Sequence, residues 1–310
     1  MRVKSVRLQN FRSYKETDDI FFSQINVLIG ANNSGKSAII KSLMLLQTGY
    51  DNAKFNVRAG EVSCEVEIEL EDFNKFKNWY GSNESQRLKI TAQINASGNI
   101  NYLYNGGHPS PALGPISDKD SNHFILPHFS KRKSNGFSID VGEGSAGKII
   151  PNYSNLSSKI STLSNPTRIG TNFFWRECEN ILGFKLGNIP SGSGSKPGIY
   201  VGNNFPISVE QLGEGVPNIV SLLADMAESE GKLFLIEEPE NDLHPEALKS
   251  LLNLIIESSR LNQFVISTHS NIVLRHLGAE ENAKIYKITA IIYMTKQSTS
   301  TNLFFDRPTL

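Results

Sequence analysis

The sequence of 310 residues predicts an α/β fold in which a mixed β-sheet is flanked by helices. Two observations lead to this class. The apolar runs Ile25 to Ile29, Lys232 to Ile236 and Phe264 to Thr268 have the length of buried strands, and helical patterns occur between them. A separate region alternates apolar and polar residues, which is typical of antiparallel strands with one exposed face. We therefore expect a core sheet with an additional antiparallel lobe.

A phosphate-binding loop directly follows the first apolar run. It fits the pattern G-x-x-x-x-G-K-S, and a predicted helix, Ser37 to Leu46, comes next. The loop consists of Gly30, Ala31, Asn32, Asn33, Ser34, Gly35, Lys36 and Ser37. Its backbone N–H groups can surround phosphate oxygens, Lys36 can reach the β- and γ-phosphates, and the Ser37 hydroxyl can bind Mg²⁺. The alternative is a chance match to a glycine-containing turn, which the flanking strand and helix disfavour.

Acidic residues end the second apolar run. Glu237 and Glu238 follow the strand directly, at the edge where open α/β sheets bind ligands. One carboxylate there can hold Mg²⁺, and a second can orient or deprotonate an attacking water. The alternative is an acidic helix start at Pro239, because Asp and Glu favour first turns. The phosphate loop elsewhere in the chain favours the catalytic interpretation.

Two weaker signals accompany these motifs. His269 ends the third apolar run, where it could contact a γ-phosphate, although a lone histidine is more often a structural hydrogen bonder. Gly213 and Gly215 precede an amphipathic helix and could expose N–H groups to an anion. In isolation, a simple turn is the better explanation for these glycines.

Taken in order, the motifs resemble those of the ABC-type ATPase heads of the RecF, SMC and OLD (overcoming lysogenization defect) group. The matching segments are Val6 to Tyr14 for the first strand and its N-F-R-S element, 30–37 for Walker A, Leu212 to Val216 for a degenerate signature motif, Leu233 to Pro245 for the joined Walker B and D-loop, and Ser267 to Ser270 for the histidine switch. The resemblance covers residues 1–50 and about 205–295. It implies an ABC-type P-loop NTPase that binds ATP and Mg²⁺ and works as a head-to-tail dimer or a higher oligomer.

The resemblance also assigns roles to individual residues. The implied assignments are catalysis for Glu238 and His269; nucleotide binding for Gly30, Asn32, Asn33, Ser34, Gly35, Lys36, Ser37 and Arg12; metal binding for Ser37 and Glu237; the signature element, acting on the other subunit, for Gly213, Glu214 and Gly215; and the D-loop for Asn241 and Asp242. Glu237 stands where many heads have Asp, and Gly213 where many have Ser. Gln47 is a weak candidate for the glutamine that links nucleotide to the inserted lobe.

The middle of the chain predicts a β lobe and an insertion. Residues 51–104 contain the alternating segments and form the lobe, whereas residues 105–204 form an irregular, partly helical insertion in a single domain spanning 1–310. Within the insertion, Asn172 to Phe184 predicts a helix and Gly187 to Gly198 a glycine- and serine-rich loop. Residues 131–133 are basic and are more simply a solvated loop than a nucleic-acid contact. Ala283 to Phe305 predicts a closing hairpin.

Composition fits a cytoplasmic enzyme without a membrane segment. Lysine plus arginine and aspartate plus glutamate both number 31, so any nucleic-acid binding needs a local patch or a partner. Cys64 and Cys178 lack metal-ligand spacing and are expected to be buried free thiols. The N-terminus does not resemble a signal peptide, and no apolar run approaches the roughly 18 residues of a membrane helix.

The analogy extends to biological role. OLD-type nucleases add a Toprim domain after the ATPase, which the sequence does not show, so a separate effector protein is expected. Stand-alone heads of this kind resemble ATPase components of bacterial anti-phage systems. The alternatives are a DNA-repair or chromosome-organising head and, from a different class, a nucleotide-dependent scaffold that barely hydrolyses ATP. The partner, the trigger and any preference for DNA or RNA are not encoded in a readable motif.

Overall fold

The computed structural model describes most of the chain. The described residues are 1–47, 53–71, 87–104, 123–129, 155–168, 170–191, 194–202, 205–213, 215–241, 243–291 and 300–303. The basic residues 131–133 lie outside these ranges, as do residues 292–299, which include most of the polar turn predicted for the closing hairpin at Gln297 to Thr301. No helix in the described ranges is long and apolar enough to cross a membrane.

One large sheet organises the described structure. Its strands are β1 (Arg2–Phe11), β2 (Tyr14–Glu16), β3 (Ile20–Phe21), β4 (Ile25–Ile29), β5 (Ser63–Glu71), β6 (Arg87–Asn95), β7 (Ile100–Tyr104), β8 (Ile125–His128), β12 (Leu233–Glu237), β13 (Gln263–Thr268), β14 (Ala283–Ile291) and β15 (Ser300–Leu303). A separate sheet contains β9 (Gly187–Ser191), β10 (Gly194–Val201) and β11 (Phe205–Ser208). The large sheet is mixed, which agrees with the fold class predicted from the sequence.

The parallel part of the large sheet positions the candidate site. Its strand order is β14, β4, β13, β12 and β8, and every neighbouring pair is parallel. The register places Ile29 beside Thr268 and Glu237 beside Ser267. Because parallel strands end at the same edge, the phosphate loop, the acidic pair and His269 all emerge at one edge of the sheet.

The antiparallel part forms the predicted β lobe. Strands β7, β6, β5 and β1 are neighbours in this order, and each pair is antiparallel. Alternation decides which face is buried, since Cys64, Val66 and Ile68 are buried while the glutamates between them are partly exposed. The exposed face carries cross-strand ion pairs such as Lys89 with Glu67, whose Nζ and Oε1 are 2.6 Å apart.

The helices begin and end at residues suited to those positions. They are α1 (Lys36–Leu43), α2 (Leu156–Leu163), α3 (Thr171–Leu182), α4 (Gly215–Ala227), α5 (Pro245–Ser258) and α6 (Asn271–Gly278). Ser270 caps α6 by accepting from the N–H of Ile272, and Pro245 occupies the first turn of α5, where no N–H is needed. Helix α3 ends at Gly183, which adopts a left-handed φ of 80°.

The sheet separates two apolar cores. Helix α1 packs with the β lobe on one side, whereas α2 to α6 pack on the other side against the parallel strands. Strand β4 serves both cores, because Val27 belongs to the helical core and Leu28 to the core of the lobe. Both cysteines are buried free thiols as expected, and burial raises the pKa of Cys64 to about 11 and that of Cys178 to about 12.

The structure corrects the loop predicted from Gly187 to Gly198. This segment instead supplies β9 and most of β10, which pair antiparallel in the three-stranded sheet. At Gly198 a Cβ would lie 2.4 Å from the carbonyl oxygen of Ile207 on β11. Glycine here permits close approach of two backbones, a requirement that composition alone does not distinguish from a loop.

Strand β8 also departs from the boundaries drawn from the sequence. It falls within residues 105–204, assigned to the insertion, but pairs in parallel with β12 as the outer strand of the described core sheet. The run Ile125–His128 is too short to be recognised as a strand from its pattern, and the pairing with β12 creates it.

Candidate nucleotide site

The phosphate loop lies between β4 and α1, as its motif requires. Gly35 adopts a φ of 115° immediately before the first turn of α1, a conformation that L side chains rarely adopt. Gly30 faces a different constraint, because a Cβ there would lie 2.2 Å from the carbonyl oxygen of Ile288 on β14. Asn32, Asn33 and Ser37 are exposed, and Ser34 is buried. A side chain would therefore strain the backbone at Gly35 and clash with β14 at Gly30.

Lys36 is held inside the loop that it is predicted to serve. Its ammonium donates to the carbonyl oxygens of Gly30 and Ala31 at 2.8 and 2.9 Å. Burial lowers its pKa, while the nearby carboxylates of Glu238, Glu240 and Glu237 act in the opposite direction. Carbonyl oxygens are weaker partners for an ammonium than phosphate oxygens, so an anionic ligand can displace them.

Glu238 and His269 lie side by side at the ends of β12 and β13. The His269 Nε2 is 3.3 Å from Glu238 Oε1, and Asn241 Nδ2 donates to Glu238 Oε2 at 2.8 Å. Glu238 also has a left-handed φ of 51°, which its backbone N–H supports by donating to the carbonyl oxygen of Ser267 at 2.8 Å. Strained backbone of this kind clusters at functional sites. The structure therefore brings together three residues that the sequence analysis named separately.

Glu240 is a residue that the sequence analysis did not assign. Its Oε1 accepts from the Thr268 hydroxyl at 2.7 Å and from the backbone N–H of His269 at 2.9 Å. It therefore fixes the end of β13 where the histidine emerges. The repeated acids of the E-E-P-E run were a signal, but which of them faces β13 depends on the turn after β12.

Glu237 and Ser37 fit a divalent cation. Glu237 Oε1 is buried and has no hydrogen-bond partner among the described residues, although a buried carboxylate oxygen normally has one. Ser37 follows Lys36 in the first turn of α1 and is exposed. A carboxylate and a hydroxyl are oxygen ligands of the kind that Mg²⁺ prefers. Both side chains are thus suitable ligands, and the metal role implied for them by the resemblance stays a prediction.

Arg12 belongs to the turn between β1 and β2, which packs against the phosphate loop. The Tyr14 hydroxyl donates to the carbonyl oxygen of Gly35 at 3.3 Å, and a Cβ on Gly35 would lie 3.1 Å from Ser13 Oγ. The guanidinium of Arg12 donates through Nε to the Asn56 side chain at 2.7 Å. The turn therefore contacts the phosphate loop, whereas the nucleotide contact implied for Arg12 stays a prediction.

The glycines of the predicted signature element differ in exposure. Gly213 is exposed and a Cβ there would meet no atom within 4 Å, whereas Gly215 is buried as the first residue of α4. Glu214 and the D-loop residue Asp242 lie outside the described residues. The accessible part of this element in the described structure is thus Gly213.

Gln47 does not lie where it could link nucleotide to the inserted lobe, the role considered for it from the sequence. Its carboxamide is buried and exchanges hydrogen bonds with the backbone of Ile125 at 2.9 and 3.1 Å, at the start of β8. The predicted nucleotide contacts lie at the opposite, carboxyl ends of the parallel strands. Gln47 therefore anchors β8, and His128 is the residue that ends this strand beside β12.

Comparison with known proteins shows which family the chain belongs to. The family described as "AAA domain, putative AbiEii toxin, Type IV TA system" matches residues 77–275, more than half of the chain. The chain belongs to this AAA family. A second family, described as "AAA ATPase domain", matches residues 1–139. This AAA protein is therefore an ATP-hydrolysing enzyme, as the phosphate loop and acidic strand end predicted.

Relatives of the AAA protein include DNA-repair ATPases. A segment of 76 residues is 37% identical to the DNA double-strand break repair Rad50 ATPase of Sulfolobus acidocaldarius, covering 23% of this chain and 9% of that protein. A segment of 49 residues is 41% identical to the DNA replication and repair protein RecF of Clostridioides difficile, covering 16% of this chain and 13% of that protein. The chain thus matches only small parts of these relatives.

Solved structures of SMC head domains share the fold of the AAA protein over nearly its full length. The Smc head domain of Pyrococcus furiosus, bound to the C-terminal domain of ScpA, superimposes with a TM-score of 0.69 at 16% identity. The match covers 97% of this chain and 96% of that one. The chain therefore has the ABC-type head fold of the RecF and SMC group, which confirms the predicted fold class.

Proposed function

We propose that this AAA protein hydrolyses ATP in a head-to-tail dimer and is the ATPase component of a cytoplasmic anti-phage defence complex with a separate effector. The observation that carries the catalytic part is the convergence of Lys36, Glu238 and His269 at one edge of three adjacent parallel strands. The fold and the family support the ATPase. The residue roles, the dimer and the biological role are the content of the proposal.

In the proposed chemistry, Lys36 exchanges its two carbonyl partners for phosphate oxygens when ATP binds. Glu238 orients and deprotonates the attacking water, with Asn241 holding its second oxygen. His269 then stabilises the γ-phosphate, and Glu240 fixes the backbone from which His269 extends. Glu237 and Ser37 would hold Mg²⁺, which when bound neutralises charge on the phosphates.

The proposed dimer would supply N–H donors to the side of the γ-phosphate that the phosphate loop does not cover. A lone phosphate loop leaves one side of the γ-phosphate open to water, and stabilising that side requires preorganised N–H donors. Gly213 is exposed ahead of α4. The proposed donors are the backbone N–H groups of Gly213 and Gly215, because the Val216 N–H donates to the Gly213 carbonyl oxygen at 3.0 Å and Pro217 has no N–H. In the proposed assembly this element of one subunit faces the loop of the other.

The defence role rests on a coarser observation. The matching family's description refers to a toxin of a toxin–antitoxin system, and this supports a role in which ATP hydrolysis controls a damaging activity. We place that activity on a separate effector.

A direct test uses light scattering on Glu238→Gln protein, which should retain ATP. ATP should double its mass, and a second substitution, Gly215→Glu, should prevent this. Because Gly215 is buried, Gly213→Glu provides a variant with room for the new side chain, and Gly187→Glu is a matched control on the three-stranded sheet. An unchanged monomer mass with ATP in the parent Glu238→Gln protein, at concentrations that saturate binding, would contradict the shared site.

The alternative of a DNA-repair or chromosome-organising head is favoured by the Rad50 and RecF matches. Steady-state ATP turnover with and without double-stranded DNA separates the two roles. Strong stimulation by DNA in the absence of any partner would favour the repair role. Turnover that responds only to a co-purifying protein would favour the effector complex. A nucleotide-dependent scaffold would show tight ATP binding with almost no turnover under either condition.

A further inference from the structure

The turn between β1 and β2 is held by residues 56–58, a short segment that precedes β5 and is called the clamp below. The backbone N–H of Arg12 donates to the carbonyl oxygen of Asn56 at 2.8 Å, and the N–H of Arg58 donates to that of Asn10 at 2.8 Å. The Arg58 guanidinium also donates to the carbonyl oxygen of Ser13 at 2.6 Å. The clamp thus contacts both sides of the turn.

The turn depends on this external support because its backbone is strained. Asn10 and Arg12 both have a φ of 52°, in the left-handed region that side chains rarely adopt. Such conformations persist only when the surrounding structure over-determines them. The clamp supplies the hydrogen bonds that hold Arg12 in this state.

Asn56 contributes a second, side-chain contact. It is fully buried, and its Oδ1 accepts from Arg12 Nε at 2.7 Å. Its Nδ2 has no hydrogen-bond partner among the described residues. A buried carboxamide with an unsatisfied donor costs stability, so the contact of Asn56 with Arg12 explains this residue better than a contribution to stability does.

From this geometry we propose that Asn56 is a positioning residue that orients Arg12 toward the phosphates of bound ATP. The proposal rests on the proposed nucleotide site and on the nucleotide-binding role that the resemblance implies for Arg12. Asn56 holds Arg12 by both its backbone and its side chain, while Tyr14 ties the same turn to the carbonyl oxygen of Gly35 in the phosphate loop. In the proposal, Asn56 contacts Arg12 directly and Arg12 contacts the nucleotide.

The test is a double-mutant cycle on ATP affinity, measured by calorimetry, and on KM and kcat. Arg12→Ala and Asn56→Ala should each weaken ATP binding about tenfold, the range of a hydrogen bond to a charged group. Each should raise KM with kcat within about twofold, because these contacts bind ATP and its transition state alike. The double variant should be no weaker than Arg12→Ala alone.

Two further variants keep the test decisive. Arg12→Lys retains the charge but has no Nε–H group to donate to Asn56. It should lose about as much ATP affinity as is expected for Asn56→Ala, and it supplies this measurement even if Asn56→Ala folds poorly. Asn262→Ala removes a buried carboxamide from the opposite edge of the sheet and should cost stability without changing ATP affinity.

The outcomes separate the two levels of the proposal. Unchanged ATP affinity in Arg12→Ala would remove the nucleotide contact of Arg12, and with it this inference, while leaving the ATPase itself intact. Weakened binding in Arg12→Ala with unchanged binding in Asn56→Ala would overturn the positioning role alone. Additive losses in the double variant would also overturn it.

Discussion

The carboxylate of Glu240 accepts a hydrogen bond from the backbone N–H of His269 across 2.9 Å. The same oxygen accepts from the Thr268 hydroxyl at 2.7 Å. Glu240 therefore connects the turn after β12 to the end of β13, so the acidic motif and the histidine form one rigid unit. Charge-assisted hydrogen bonds of this kind are among the stronger ones in proteins.

We expect Glu240→Ala to lower kcat about tenfold and to leave ATP affinity nearly unchanged, because it releases the backbone that orients His269. Glu240→Gln keeps an acceptor oxygen and should retain most of the activity. Glu246→Ala, which removes an exposed acid from the first turn of α5, is the control. Steady-state kinetics on the three variants decides the matter, and equal loss in Glu240→Gln and Glu240→Ala would show that the charge itself matters.

Lys36→Ala should abolish tight ATP binding without unfolding the protein. The substitution removes the only Walker A ammonium, whereas the two carbonyl oxygens it contacts can be hydrated. Calorimetry measures the affinity, and thermal unfolding confirms the fold. Lys41→Ala removes a charge from the same helix, where the ammonium lies 5.5 Å from the Phe129 ring centroid, and should bind ATP normally. Near wild-type affinity in folded Lys36→Ala would refute the phosphate-loop assignment.

Glu238→Gln should reduce ATP turnover by about 10²-fold or more, in line with the loss of a positioned general base. ATP should stay bound, because the amide preserves size and can still hydrogen-bond. Single-turnover hydrolysis and nucleotide retention on a filter measure both effects. Glu237→Gln is the comparison, and it should weaken the dependence of binding on Mg²⁺. If Glu237→Gln traps ATP while Glu238→Gln remains active, the two roles are reversed.

Asp225 in α4 should be a major source of acid-sensitive stability. Burial alone would raise its pKa, but Lys159, with Nζ 2.5 Å from Asp225 Oδ1, and His128, with Nε2 3.2 Å from Oδ2, outweigh burial and hold the pKa below its ordinary value. A depressed carboxyl pKa stabilises the fold above the unfolded pKa of about 4, and this contribution is lost as the pH falls further.

Asp225→Asn should therefore lower the free energy of unfolding by about 3 kcal/mol at pH 7, since it leaves the buried ammonium of Lys159 uncompensated. The difference from wild type should shrink as the pH falls below about 4. Urea unfolding at several pH values measures it. Asp19→Asn removes a partly exposed partner of Arg7 and should cost less than about 1 kcal/mol. A difference that is constant down to pH 2 would contradict the charge-pair explanation.

Much of the site could be predicted because its chemistry is local. The eight-residue phosphate loop needs glycines, a lysine and a serine at fixed spacing, and those requirements are visible in the sequence. The acids after β12 and the histidine after β13 could be placed at one sheet edge because parallel strands end together. The roles of Glu238 and His269 remain predictions, although the structure places them 3.3 Å apart.

The tertiary structure decided what depends on distant segments. Glu240 and Asn56 contact residues that lie 28 and 44 positions away in the chain. Gln47 anchors the start of β8, at the end of the parallel strands opposite to the predicted nucleotide contacts. Strands β8 and β10 form because they pair with other strands. The sequence by itself determined the phosphate loop, the alternating lobe and the order of the motifs, since these rest on spacing and periodicity. Pairing, strain and buried polar contacts depend on which backbones meet, and only folding settles that.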